Sequence, residues 1–406
     1  MPTTCVIGAQ RGDEGKARVV DLLADDADVI VRFQGGSNAG HTVMFGGETY
    51  RLHLVPSGIF RQGKTCVVAH GVVVDLEILF GEIDDLVRRG HAVTGSNLMI
   101  SDRAQLVMPW HKILDQAREK AAGAGKMGTT GRGIGPCYAD KVSYRGIRVC
   151  DLYEPEWFEE RLRQNLAEKN PVLERVYGER PLDLATIRDQ YLAFAERVRP
   201  LVGDAVGFLH DAVASGKKVL FEGAQAALLD VDVGVYPYVT ASNSSALGVS
   251  AGTGLPPHAI HRVIGCAKAY ATHVGSGPFP TEDHGDEGQR MRDVGREYGT
   301  TTGRPRRCGW FDAVAVKFAV RCNGIDALAF VKLDVLRGFP TLRICTAYDL
   351  PSGRTTQLPA SAAAVARAKP VYRELPGFAE DISHVRRFED LPANAQAFIR
   401  AIETEC

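Results

Sequence analysis

The chain has 406 residues, 45% hydrophobic and 24% charged, with a net charge of −1 at pH 7. That length supplies a large core, arranged as one big α/β domain or two smaller ones. The even charge balance gives no electrostatic ground for binding nucleic acid or an anionic membrane, and no apolar run reaches the roughly 18 residues that span a bilayer.

The N-terminal residues MPTTCVIG lack a basic region followed by an apolar core, so no signal peptide is expected. Nine cysteines are scattered without a Cys-x-x-Cys pair, which fits reduced thiols and a cytoplasmic location. Thr4–Gly8 reads as a buried first strand. Lys16–Leu23 reads as a helix whose Val19, Val20, Leu22 and Leu23 pack on a sheet. Between them lies Gly8-Ala9-Gln10-Arg11-Gly12-Asp13-Glu14-Gly15-Lys16. A glycine turn from strand to helix presents backbone N–H groups at the positive end of the helix, which suits a phosphate. It is not a Walker A loop, because Gln10 and Ala17 break that pattern at both ends. Asp13 in its middle is a helix cap, a Mg2+ ligand or a proton acceptor. A second loop, Gln34-Gly35-Gly36-Ser37-Asn38-Ala39-Gly40-His41-Thr42, follows the apolar strand 28–33. Two such loops after adjacent strands lie at the carboxyl edge of one sheet, where α/β ligands bind.

Residues 50–55 and 65–69 read as strands and Leu76–Arg89 as an amphipathic helix ended by Gly90. Leu98–Ser101 is a short strand. Leu106–Ala122 reads as a helix with Leu114 and Ala117 inside. Residues 126–148 carry five glycines and five cations with little to pack, which predicts a loop, either plain surface or functional. Residues 151–216 are charged and helical by period. Within them Leu184–Arg199 buries Ile187, Tyr191, Leu192 and Val198, and Asp204–Ser215 is stopped by Gly216. Lys218–Glu222 is a core strand leading into Gly223-Ala224-Gln225. Arg262–Thr272 reads as one long strand. Residues 300–307 (TTTGRPRR) are the densest basic element. They are a solvated loop or a grip for a dicarboxylate or phosphate, which guanidinium forks bind in pairs. Ala327–Leu333 is a strand ending in Lys332-Leu333-Asp334, a structural ion pair or a reader of a purine edge. Asn394–Glu403 is a last helix.

The two glycine loops resemble those of the adenylosuccinate synthetase family, and further matching stretches cover nearly the whole chain: 128–136 (GTTGRGIGP), 221–225 (FEGAQ), 236–240 (YPYVT), 274–282 (VGSGPFPTE) and 300–307. The resemblance implies an α/β fold similar to P-loop NTPases. Its mainly parallel central sheet is flanked by helices, with helical and α+β insertions. Residues 1–406 would form one domain, with a helical insertion at about 150–216 and a C-terminal α+β region at about 325–406. The implied reaction joins L-aspartate to IMP at the expense of GTP, with Mg2+, in a homodimer. Asp13 and His41 would be catalytic, and Asp13 and the Gly40 carbonyl would hold Mg2+. GTP would meet Gly12, Glu14, Gly15, Lys16, Gly40, Thr42, Arg306, Lys332 and Asp334. IMP would meet Asp13, Lys16, Asn38, His41, Thr130, Gln225, Thr240 and Arg304. Aspartate would be held by Thr300, Thr301, Thr302, Gly303, Arg304 and Arg306.

The sequence also departs from the family pattern. Arg11, Ala17, Tyr144, Ala226, His273 and Pro305 stand where the family usually has Trp, Gly, Arg, Gly, Arg and Arg. The family arginine at position 144 reaches across the dimer to the substrate phosphate, and here Arg145 is its neighbour. The Ser-Thr-Gly-Pro stretch that accompanies the family's guanine reader does not occur in the 406 residues, which leaves GTP against ATP open. Two other readings follow from these departures: a paralogue aminating a different purine-like nucleotide, and a non-catalytic nucleotide-binding relative.

Overall fold

The structure is a computed structural model, in which residues 3–299, 303 and 305–406 are described. The chain divides into two compact units. The first comprises residues 1–6, 17–224 and 240–262, and the second residues 7–16, 225–239 and 263–406.

The first unit is built on a parallel sheet. Its strand order runs from Thr3–Gly8 (through Val6 in this unit) to Val219–Glu222, Val29–Arg32, Thr65–Val68, Leu98–Ser101 and Val202–Gly203. Val29–Arg32 and Val219–Glu222 are buried at every position. That is the signature of strands covered on both faces, and it explains why they read as unbroken apolar runs. Register sets Glu222 opposite Arg32 where both strands end. Helices cover the sheet. Leu76–Arg88 is capped by Asp75, whose side chain accepts the Ile78 N–H, and buries Leu79, Phe80, Ile83 and Leu86. Pro155–Tyr177 and Leu184–Val198 supply the charged helical stretch, the latter capped by Asp183 through the Thr186 N–H at 2.8 Å.

The second unit pairs Arg262–Lys268 with Ala327–Val331 in parallel. It adds a smaller sheet in which Thr341–Leu350 pairs Phe311–Asp312, Gly353–Thr355 and Lys369–Pro376. Its core gathers Tyr270, Trp310, Phe311, Val316, Leu342, Ile344, Phe398 and Ile402.

Several sequence expectations need correction. Leu22 is 71% exposed, although its helix Lys16–Ala24 forms as expected. A nine-residue helix buries only a narrow stripe, and Val20 and Ala24, four apart, occupy it. Residues 126–148 are not all loop. Ile134–Val142 is a helix entered through Gly133 at φ 76°, and Ile134 and Cys137 pack with Val73 and Val107. The helix expected from Leu106 starts at Pro109, which suits a first helical position because it needs no N–H partner. The strand expected over 50–55 ends at Leu52 and is half of a hairpin, Glu48–Leu52 with His41–Phe45. Leu192 is only half-buried, and Ala195 takes its place in the buried stripe. The long strand from Arg262 breaks after Lys268 and resumes at Ala271–His273. At the break the Gln10 amide donates to the Lys268 and Tyr270 carbonyls, each at 3.2 Å, and so draws them away from a ladder. The last strand residue before the Lys-Leu-Asp stretch is Val331.

Candidate active site

In the second unit the first glycine loop is held from several sides. Gln10 accepts the Lys268 N–H at 3.0 Å, so its side chain is a staple and not a ligand group. Gly12, Asp13 and Gly15 all have left-handed backbone, at φ 96°, 60° and 75°. Glycine adopts this freely and aspartate tolerates it. Gly8 is needed for space, because a Cβ there would lie 2.3 Å from Glu14 Oε2 and 2.8 Å from the Gln225 carbonyl. Glu14 has no exposed side-chain surface and takes the Lys16 ammonium at 2.8 Å and the Gly12 N–H at 2.6 Å. Burial works against the charged Lys16, but Glu14 outweighs it and raises the ammonium above its ordinary pKa. These two expected nucleotide residues thus neutralise each other.

Asp13 is 44% exposed and lies 2.8 Å from Arg306 Nε. The other side of Arg306 meets Glu297, with Nη1 at 2.7 Å. Glu297 is the centre of a buried cluster. It also accepts from Lys268 Nζ at 2.8 Å and Tyr270 OH at 2.5 Å, and Lys332 Nζ lies 3.6 Å away. Burial would raise the Glu297 carboxyl, but Lys268, Tyr270 and Lys332 pull it down to about 2. Lys332 sits at φ 63° and heads the 3-10 turn Leu333–Leu336, on which Asp334 is exposed. Gln225 also has left-handed backbone, at φ 55°, and its amide nitrogen and oxygen are both buried without a partner. Unsatisfied buried polar atoms are costly, so they point to a ligand. Arg11 is buried with its guanidinium 5.4 Å above the Phe279 ring. Burial, followed by Arg11, pushes His273 down to about 4. Gly303 is at φ 64°. Thr300, Thr301, Thr302 and Arg304, expected to hold aspartate, lie outside the described residues.

In the first unit the second loop brings expected ligand residues together. Asn38 Oδ1 accepts the Gly36 N–H at 3.1 Å, and its Nδ2 donates to Thr240 Oγ1 at 3.4 Å. Gln34 donates to the Ala224 carbonyl at 2.7 Å and accepts from Ser242 at 2.8 Å. Arg132 donates to the Ser37 carbonyl, which ties the segment carrying Thr130 to this loop. Thr130 itself is exposed, as are Gly40 and Thr42. His41 opens the hairpin and is 7% exposed, with Nδ1 on the Glu222 carboxylate. Glu222 further accepts the Ser57 N–H at 2.9 Å and the Ser57 hydroxyl at 2.7 Å. Burial opposes its charge, but His41, Arg32 and Ser57 win and hold the carboxyl at about 2. Tyr144 is 87% exposed at φ 65°, while Arg145 is engaged with Glu168 at 2.8 Å.

The described non-glycine residues with left-handed backbone are Asp13, Tyr144, Gln225, Arg296 and Lys332. Asp13, Gln225 and Lys332 are residues singled out in the sequence as ligand contacts. Such conformations cluster where function requires them. Sequence reasoning missed Glu222 and Glu297. An acid closing the apolar strand 219–222 was a usable signal for the first, while the surroundings of Glu297 in sequence carry none.

A half-exposed carboxylate on a glycine loop, Asp13 beside Arg306, fits Mg2+, which takes one or two carboxylates and fills its shell with phosphate oxygens and water. Among the described residues there is no cluster of three or more metal-ligating side chains, as a protein-only cage would require.

Residues 5–406 match the family model described as adenylosuccinate synthetase. The adenylosuccinate synthetase of Geobacter metallireducens is 50% identical over 403 residues, covering 99% of this chain and 94% of the relative. That of Acetivibrio thermocellus is 48% identical, covering 99% and 95%. The structure of fully ligated adenylosuccinate synthetase from Plasmodium falciparum superposes with a TM-score of 0.92 at 35% identity, covering 100% of this chain and 95% of that one. A cyanophage S-2L succinoaminodeoxyadenylate synthetase, bound to dGMP and to dATP as energy donor, shares the fold at a TM-score of 0.57 and 22% identity.

Proposed function

The chain belongs to the adenylosuccinate synthetase family and is a ligase that joins L-aspartate to C6 of IMP with GTP, in purine biosynthesis, and we propose that Asp13 and His41 carry its chemistry. The match along residues 5–406 at about half identity carries the reaction itself. What supports the residue roles is the left-handed Asp13 on its glycine loop and the clamped His41.

Asp13 takes the N1 proton of the bound 6-oxopurine. Electron density moves to O6, which attacks the γ-phosphorus of GTP. The bond from that phosphorus to the β-bridging oxygen breaks and GDP leaves. His41 donates a hydrogen bond to the phosphoryl group as charge moves to the diphosphate. The aspartate amine then adds at C6, the C6–O bond breaks, and inorganic phosphate departs with the amine proton lost to solvent. Phosphorylation is needed because an amide-like oxygen is a poor leaving group. Backbone N–H groups of Gly15 and Lys16 face the phosphates, since an N-terminal helix end favours anions, while the Gly12 N–H is taken by Glu14. Asn38, Thr130, Gln225, Thr240 and Arg304 position IMP. Thr300, Thr301, Thr302, Gly303 and Arg306 hold aspartate, and Lys332 and Asp334 read the base. Asp13 and the Gly40 carbonyl would hold Mg2+, which when bound supplies neutralisation of phosphate charge. The functional form is a cytoplasmic homodimer; among the described residues no helix is long and apolar enough to cross a membrane.

The test is phosphate release with aspartate over a panel of nucleoside monophosphates, each with GTP and with ATP. IMP with GTP should give the highest kcat/KM. A higher value for another monophosphate would replace IMP in this account.

A further inference from the structure

The strand 219–222 reads Val-Leu-Phe-Glu, three apolar residues closed by an acid, and all four are buried. A carboxylate buried at a strand end is costly unless it is paired and hydrogen-bonded. Here both oxygens are used. Oε2 accepts the Ser57 N–H at 2.9 Å, while Oε1 accepts the Ser57 hydroxyl at 2.7 Å and meets His41 Nδ1. Arg32, fully buried and opposite Glu222 in register, adds a positive charge across the sheet. The backbone beside this group is fixed as well. His41 pairs with Leu52 across the hairpin, Arg32 donates to the His53 carbonyl at 3.0 Å, and Glu82 accepts the N–H groups of His53, Leu54 and Val55 at 2.6, 3.1 and 3.1 Å. Hairpin and ring are therefore held separately, the hairpin by Glu82 and Arg32 and the ring by Glu222.

We infer that Glu222 is a positioning residue for the ligase reaction, holding the His41 ring by Nδ1 so that the Nε2–H is the donor presented to the transferring phosphoryl group. The inference rests on the reading of His41 as the group that donates to that phosphoryl. A carboxylate at Nδ1 sets the ring plane and offsets the charge of an imidazolium, in which Nδ1–H is held by the carboxylate and Nε2 carries the donated N–H. Ser57 is the next link, since its two donors keep the carboxylate from turning.

The hydrogen-bond pattern also predicts what Glu222→Gln does. The amide has one acceptor and one donor end. The Ser57 N–H can only donate, so the amide oxygen must take the Oε2 place. The NH2 group then falls at the Oε1 place, where the Ser57 hydroxyl can turn to accept it. The NH2 group also faces His41 Nδ1, which must give up its proton. The ring is left neutral, with its one proton on Nε2, although the shape of the site is kept.

The experiment compares wild type, His41→Asn, Glu222→Gln and the double variant by kcat, by KM for IMP and GTP, and by the 15N signature of a labelled His41 ring. Glu222→Gln should lower kcat about 10²-fold with each KM within about twofold, because a neutral imidazole donates more weakly than an imidazolium as charge moves to the diphosphate, which affects the step and not the binding. The Nδ1 proton should be lost while Nε2 keeps its own. In the His41→Asn background Glu222→Gln should have no further effect on kcat, since residues acting as one unit are not additive. A normal kcat in Glu222→Gln, or losses that multiply in the double variant, overturns the inference while leaving His41 in its role. A normal kcat in His41→Asn overturns the role of His41 and the inference with it. Should Glu222→Gln not fold, Ser57→Ala decides: a severalfold fall in kcat that vanishes beside His41→Asn supports the link, and an unchanged kcat refutes it.

Discussion

Glu222 and Glu297 are both carboxylates without exposed side-chain surface, one in each compact unit, and they are neutralised in different ways. Glu222 has an imidazole and one serine for partners, with a buried arginine nearby. Glu297 has two cationic donors, Lys268 and Arg306, a phenol, and a third cation at 3.6 Å. The first arrangement fixes a single titratable ring. The second gathers cations, and a surplus of positive charge suits polyanionic substrates. The comparison teaches that a buried acid serves turnover when its partner is a catalytic ring, and serves folding and binding when its partners are the binding cations themselves.

The largest expected effect lies in the second cluster. Glu297→Gln removes the shared counter-charge of Lys268 and Arg306. Leaving a buried charge without its partner costs roughly 3–5 kcal/mol. Thermal unfolding should show that loss, together with a higher KM for GTP or aspartate. The acid limb sharpens the point. The Glu297 carboxyl is held at about 2, against an ordinary 4.5. A depressed acid contributes stability that is complete above its unfolded pKa and is lost as pH falls toward its folded one. Wild-type stability should therefore decline between about 4.5 and 2, and the decline should be shallower in Glu297→Gln. A variant that unfolds like wild type and changes only kcat would erase the distinction between the clusters.

Asp13 is the next test, because it touches the second cluster through Arg306 yet is assigned to turnover. Asp13→Ala should lose about 10²-fold or more in kcat, the value of a removed general base. It should unfold close to wild type, since an ion pair on a half-exposed carboxylate contributes little, roughly 0–1 kcal/mol. Near-normal turnover would remove Asp13 from the mechanism.

A smaller effect is expected at Tyr144, which is exposed and cannot pair with phosphate as a guanidinium does. Arg145 is spent on Glu168. Tyr144→Arg should tighten IMP about tenfold, the lower end for one hydrogen bond to a charged group. Titration of IMP at fixed salt checks this. No change would mean that position 144 does not face the monophosphate of either copy.

Much of this was legible in the sequence, for reasons that can be named. The glycine loops were visible because left-handed turns such as Gly12, Asp13 and Gly15 admit few residue types. The strands 29–32 and 219–222 were visible because two covered faces demand unbroken apolar runs. Leu22 misled because composition cannot say which side of a short helix is inside. The helix Ile134–Val142 was hidden because the glycines around it carried the local signal. Glu297 could not be found, because its partners Lys268 and Lys332 are distant in sequence and Arg306 lies beyond the next turn of any helix, so only folding brings them to it. Its neighbour Arg296, at φ 51°, marks the place only after the backbone is known.

The central claim is that the 6-oxygen of IMP attacks the γ-phosphate of GTP before aspartate displaces it. The most direct measurement uses IMP labelled with 18O at that oxygen, in a complete reaction with GTP and aspartate, followed by mass analysis of the inorganic phosphate. The account predicts one 18O in each phosphate released. Unlabelled phosphate, with the label lost to water, would show that aspartate displaced a hydroxyl and that GTP was cleaved separately.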